Sequence, residues 1–160
     1  LLDTTDMATI TMSSAAIGLP YLYRGITVDR DISTDSNRSF TYRGVNLKPL
    51  SPIALTGSID PGTSDWSLSW IRRTRSGGEW RDNVDASLGE DYEVYQVDIF
   101  ADGTYATVKR TLDATSPAVT YSSAMQAADF GGNQSTLYLK VYQLSSSVGR
   151  GYPLTQSITR

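Results

Sequence analysis

The sequence predicts an all-β protein, most of it an antiparallel sandwich of about seven short strands. Three observations carry that expectation. Runs of bulky residues alternating with small or polar ones recur from position 53 to position 158. Of 160 residues, 20 are Ser, 18 are Thr, 10 are Tyr and 13 are Gly, a mixture that favours strands and turns over helices. Ser123 to Asp129 is the single stretch that reads as helix, and Gly131-Gly132 stops it within two turns.

The elements follow in order. Residues 1–48 read as a separate, incomplete unit, because Leu1-Leu2-Asp3 opens as though partway along a strand. Within that unit, Ile26-x-Val28 and Phe40-x-Tyr42 are expected to pair across a polar hairpin tip. Lys48-Pro49-Leu50-Ser51-Pro52 is then a stiff extended lead-in, since proline fixes its own φ and pushes the preceding residue toward extended geometry. The sandwich occupies residues 49–160. Its first strand is Ile53 to Ile59, closed by Asp60-Pro61-Gly62. Trp66, Leu68 and Trp70 face inward from the second strand, and Tyr95, Val97 and Ile99 from the third, which ends at Asp102-Gly103. Tyr105 to Leu112 is the fourth strand and Ala118 to Tyr121 the fifth. Leu137, Leu139 and Val141 face inward from the sixth, and Leu154 to Ile158 is the seventh.

What is missing from the composition narrows the chemistry. The chain has no His and no Cys. That removes imidazole acid–base work, Ser-His-Asp triads, thiolate nucleophiles, disulfides, zinc fingers and Fe–S clusters. No Gly-x-Ser-x-Gly, Ser-x-x-Lys, P-loop or Gly-x-Gly-x-x-Gly motif occurs. The segment is therefore expected to be no enzyme and to need no cofactor. No apolar run reaches 18 residues and no basic-then-apolar leader is visible, so neither a membrane span nor a signal peptide is expected. A net charge of −3 and a pI of about 4.8 argue against nucleic acid as a partner.

Two segments merit a search for sites. Asp29, Asp31 and Asp35, with Ser33 between, alternate oxygen ligands in a manner suited to calcium. They depart from the helix–loop–helix calcium pattern at Thr34, where glycine is needed, and at Phe40, where the final Glu belongs. A polar hairpin tip fits those residues better. The second segment follows the Trp70 strand and holds Arg72, Arg73, Arg75 and Arg81, broken by Gly77-Gly78 and joined by Trp80. All three glutamates, Glu79, Glu90 and Glu93, lie in the same region. An internal clamp, with arginines bonded to glutamates to order a long loop, is the favoured reading. Close behind it stands a subunit interface using Arg72, Arg73, Arg75, Trp80, Arg81 and Glu90, because Arg and Trp are enriched in binding hot spots. The arginines also suit sugars or lipopolysaccharide phosphates. A glycosidase couple of Glu79 and Glu90 would need its carboxyls roughly 5–10 Å apart, and exposed ion pairs are the commoner arrangement. The Tyr138/Tyr142 stripe admits two readings, a glycan platform or aromatic packing under a neighbouring strand or partner.

The strand pattern resembles a fibronectin type III domain. The likeness rests on Pro52 ahead of the first strand, Leu68-Ser69-Trp70, Tyr95-x-Val97-x-Ile99 and Leu139-x-Val141, with Ser147-Val148-Gly149-Arg150-Gly151 before the last strand. It departs at Leu137, where that family places its corner tyrosine, so the corner must be tied another way. A second resemblance spans nearly the whole chain. Trp70-Ile71-Arg72-Arg73-Thr74-Arg75-Ser76-Gly77-Gly78-Glu79-Trp80, Leu88-Gly89-Glu90, Asp129-Phe130-Gly131, Tyr142-Gln143-Leu144-Ser145 and Val148-Gly149-Arg150-Gly151 resemble stretches of the large tail-tip hub proteins of tailed phages and gene transfer agents. Leu1-Leu2-Asp3 and Tyr23-Arg24-Gly25 are similar to the end of the β-rich domain that precedes the fibronectin-like module there. The resemblance implies a virion structural fragment at the tail tip, usually a homotrimer among other tail proteins. A host-surface glycan or receptor is the alternative partner.

Overall fold

In the computed structural model, which describes residues 10–26, 28–79 and 85–160, the chain divides into two units, Leu1–Asn46 and Leu47–Arg160. In the first, β1 (Pro20–Tyr23) pairs antiparallel with β2 (Arg38–Thr41), Pro20 opposite Thr41 and Tyr23 opposite Arg38. These are not quite the expected strands. Ile26 and Val28 lie outside any strand and are exposed. The segment after β1 is bonded to itself instead. Asp35 accepts from the Gly25 amide at 2.9 Å, Arg24 Nε donates to Asn37 Oδ1 at 2.6 Å, and Asp29 sits at a left-handed φ of 63°. Such local side-chain bonds compete with strand pairing and here they win.

The second unit is built from two facing sheets. One has the order β3-β4-β7, with β3 at Ile53–Ile59, β4 at Trp66–Ile71 and β7 at Ala118–Tyr121. The other has the order β10-β8-β5-β6, from β5 (Tyr95–Phe100), β6 (Val108–Ala114), β8 (Thr136–Ser145) and β10 (Leu154–Thr159). The two-residue β9 (Gly149–Arg150) folds back on the end of β8. Every pairing is antiparallel. This is a fibronectin type III-like β-sandwich.

Period-two alternation decides which side chains meet between the sheets. β4 alternates buried and exposed along its whole length, and on β8 Leu137, Leu139 and Val141 are buried between half-buried neighbours. All nine expected core residues are buried, and Leu55, Leu112, Ala114, Tyr121 and Ile158 join them. Full burial of one large side chain contributes roughly 1.5–3 kcal/mol, so this layer dominates the stability of the unit.

One strand begins later than expected. Tyr105 is a turn residue at φ 54°, and β6 starts at Val108 and runs on to Ala114. The cause is the turn before it. Asp102 Oδ1 accepts from the Thr104 amide at 2.9 Å and from its hydroxyl at 2.6 Å, while the Tyr105 amide donates to the Asp102 carbonyl. The Tyr105 ring then packs edge-on against Phe100 and Tyr138, with centroids 5.4 and 6.1 Å apart.

The crossing from β7 to β8 passes through α1 (Ser123–Phe130). Ser122 caps its start through the Met125 amide, and Gly131 ends it at φ 79°, a conformation glycine adopts without a Cβ penalty. Gln126 on this helix is fully buried. Its amide donates to the carbonyls of Ser64 (2.9 Å) and Tyr121 (3.3 Å), and its oxygen accepts from the Gln134 amide at 2.9 Å. Leu137 is buried and makes no polar tie at the corner, and the tie is made by Tyr121. Its hydroxyl donates to Asp129 at 2.7 Å, and Arg110 grips the same carboxylate with two bonds of 2.7 and 2.8 Å.

Candidate functional site

The long connection from β4 to β5 carries the residues that the sequence singles out. Arg72 and Arg75 turn back onto their own loop. Arg72 donates to the Asp85 carboxylate (2.7 Å) and to the carbonyls of Ala86 (2.8 Å) and Ser87 (3.2 Å), and its Nε lies 3.9 Å from Glu93. Arg75 Nε bonds Glu90 at 3.0 Å and its terminal nitrogen reaches the Gly89 carbonyl. The Glu90 side chain is only 4% exposed, so salt screens this pair less than an ordinary surface pair. Arg73 leaves the loop altogether: it donates to the carbonyl and to the hydroxyl of Ser51, both at 2.8 Å. Trp80 and Arg81 lie outside the described residues.

Smaller residues close the loop further. Ser87 donates its hydroxyl to the Ser76 carbonyl at 2.9 Å. Gly77 and Gly89 take positive φ values of 67° and 72°, and a Cβ on either would strike a hydroxyl, Ser87 Oγ at 2.7 Å or Thr74 Oγ1 at 2.8 Å. The far end is anchored to the sandwich. Tyr95 donates to Glu93 at 2.8 Å, and burial is the main reason its phenol is pushed far above the ordinary value. Ser146, in the β8–β9 turn, donates to Asp91, and the Leu144 amide donates to the Val94 carbonyl.

A second cluster sits on the outer face of the β10-β8-β5-β6 sheet. Arg150 clasps Asp98 through both terminal nitrogens (2.6 and 3.0 Å), donates from Nε to Gln96 (2.7 Å), and lies 4.5 Å from the Tyr142 ring centroid. Thr111 donates to the same Asp98 carboxylate at 2.6 Å. Asp98 is 3% exposed although it points away from the core, because Arg150 covers it. Lys140 lies over Phe100 and Tyr105, 4.9 and 5.4 Å from their centroids. Tyr138 and Tyr142 are half-buried by these neighbours, Tyr105 and Arg150, and do not form an open aromatic shelf.

Of the three calcium candidates, Asp31 and Asp35 serve their own backbone. Asp31 Oδ1 accepts from the Ser33 amide at 2.8 Å, capping a 3-10 turn, and Asp35 accepts from the Gly25 and Ser36 amides. These bonds hold both carboxyls below the usual carboxylate range, with the Ser33 side chain and amide acting on Asp31 and the Gly25 amide acting first on Asp35. Asp29 is exposed. Among the described residues, no group of three or more acidic side chains gathers to hold a metal ion.

No family model matches this chain, and no curated protein compared with it does. Among solved structures it is similar to the FN5 domain of Drosophila Lar, at 10% identity and a TM-score of 0.40, over 69% of this chain and 95% of that one.

The Arg150–Asp98 clasp escaped the sequence reading. Asp98 occupies an outward position in an alternating strand, where a solvated carboxylate is the default, and its partner is 52 residues away. Ser51 and Asp85 as arginine partners escaped it too, since neither has a charge pattern or spacing that ties it to a particular arginine. Among the described residues, no helix is long and apolar enough to cross a membrane.

Proposed function

We propose that this chain is a structural module of a tail-tip hub in a tailed phage or gene transfer agent. In that role it organises contacts between subunits and passes the polypeptide on to the next distal element. The single observation that supports this reading best is the state of the β4–β5 loop. Two arginines of the string that carries the resemblance are spent on ordering that loop, Arg72 on Asp85, Ala86 and Ser87 and Arg75 on Glu90, while Arg73 ties it to Ser51. Loop residues already held by such bonds give up little conformational freedom on docking, which suits a permanent contact in a particle. On this reading the module is non-catalytic, sits in the virion at the tail tip, and packs as a homotrimer beside other tail proteins.

The deciding experiment is a density map of the assembled particle. The structural role requires residues 72–93 to touch sibling subunits or adjoining tail proteins around the axis. If the loop instead faces solvent, and Arg72→Ala or Arg75→Ala particles assemble normally yet fail to adsorb, the chain is a host-surface binding module. Hydrolysis of peptidoglycan or polysaccharide by the purified chain would refute the non-catalytic assignment.

A further inference from the structure

The lead-in to the sandwich contains Pro49 and Pro52, and proline-rich connections are usually treated as spacers that stand free of the domains they join. Here the lead-in is bonded to the sandwich at three points. The Tyr152 amide donates to the Pro49 carbonyl at 3.0 Å, and Lys48 Nζ lies 5.5 Å from the centre of the Tyr152 ring. Arg73 holds both the carbonyl and the hydroxyl of Ser51. The Pro49 side chain is among the fully buried ones. Gly151 makes that burial possible: a Cβ there would meet the Pro49 carbonyl oxygen at 2.6 Å, Pro49 Cβ at 2.8 Å and the Gln143 carbonyl oxygen at 3.0 Å. No positive φ is involved, so the requirement for glycine at 151 is one of space alone.

The two loops that hold the lead-in are also joined to each other. Ser146 bonds Asp91, and Arg150, next to Gly151, bonds Gln96 and Asp98 of β5. Lead-in, β4–β5 loop and β8–β10 connection therefore form one bonded body at this end of the sandwich.

We infer that Lys48–Ser51 is a docked strap, an integral part of the sandwich with Gly151 as its seat, and that it fixes the direction in which the chain enters β3. This goes beyond the proposed hub role and does not depend on it.

The test is backbone 15N relaxation of the full chain, read at the Leu50 and Ser51 amides, together with hydrogen exchange at the Tyr152 amide. In the wild-type chain Leu50 and Ser51 should have order parameters matching β4 and β5, about 0.85 for a rigid backbone, and Tyr152 should be protected. Gly151→Ala should lower Leu50 and Ser51 below about 0.6 and speed Tyr152 exchange at least about tenfold, while Val97 and Leu139 keep their protection. Arg73→Ala changes a surface side chain and leaves the core intact, so it serves if Gly151→Ala does not fold. It should loosen Ser51 while Tyr152 stays protected. Leu50 and Ser51 already below about 0.6 in the wild-type chain would overturn the proposal. So would an Arg73→Ala or folded Gly151→Ala chain whose strap dynamics match those of the wild type.

Discussion

Replacing Gln126 with leucine removes three hydrogen bonds, one buried and two part-buried, at nearly constant side-chain volume. The amide now serves the carbonyls of Ser64 and Tyr121 and the amide of Gln134, joining the β3–β4 turn, the end of β7 and the approach to β8. Each such bond is worth about 0.5–1.5 kcal/mol net, and a partner left buried without a replacement costs about 1–3 kcal/mol. Tyr121 is fully buried, whereas Ser64 and Gln134 are partly exposed and can recruit water. One full penalty and two partial ones, offset by the better burial of leucine, give an expected loss of about 2–4 kcal/mol. The assay is urea unfolding followed by tryptophan fluorescence, which reports directly because Trp66 donates to Gln134, the residue that Gln126 also holds. The midpoint should fall with the slope unchanged. A midpoint within about 0.5 kcal/mol of wild type would show that apolar burial compensates for all three bonds, refuting the view of Gln126 as an anchor.

Three further outcomes are expected. Gly57→Ala places a Cβ 3.0 Å from Leu68 Cδ2, 3.2 Å from Trp66 Cε3 and 3.3 Å from Ile158 Cδ1, and overpacking should destabilise by about 1–3 kcal/mol in the same urea assay. Gly131→Ala forces a Cβ into a φ of 79° with open space around it, so calorimetry should show a purely conformational loss of about 1–2 kcal/mol. Arg110, the larger influence, and Tyr121 hold the Asp129 carboxyl below its usual range against the opposing effect of burial. Because the folded value lies below the unfolded one of about 3.9, its stabilisation is complete above that pH and is lost as pH falls through the folded value. Asp129→Asn should therefore cost about 1–3 kcal/mol at pH 7 and flatten the acid limb of a stability–pH profile below about pH 4.

The sandwich was legible because its chemistry is periodic. On β4, Trp66, Leu68 and Trp70 are separated by serines, and no other packing of that run buries three large side chains on one face. Legibility ended where position depended on a partner distant in sequence. Gln126 reads as a solvated helix residue until the Ser64 carbonyl, 62 residues away, is placed against it. Tyr105 looks like the first residue of a strand because tyrosine favours strands, yet Asp102 had already claimed the turn. In the first unit, a run of alternating Ile26 and Val28 lost to Asp35 reaching back to the Gly25 amide. For the arginine loop, the residue types announced that charges would pair. Which backbone carbonyls Arg72 would reach depended on a loop path set by glycines at positive φ, and periodicity carries no information about such a path.

The edge position of β3 has a consequence for how this chain meets other strands. Its pairing with β4 slips between Ile53 and Thr56, Ala54 sits at a φ of 52°, and the Leu55 carbonyl is occupied by the side-chain amide of Gln156. A straight edge strand offers a rail of unpaired amides and carbonyls onto which another chain can add, and that is how sheets grow into fibrils. Here the rail is bent and one of its sleepers is already taken. Identical copies crowded side by side would thus be kept from joining edge to edge through β3, and a straightened variant at Ala54 would forfeit that protection against aggregation.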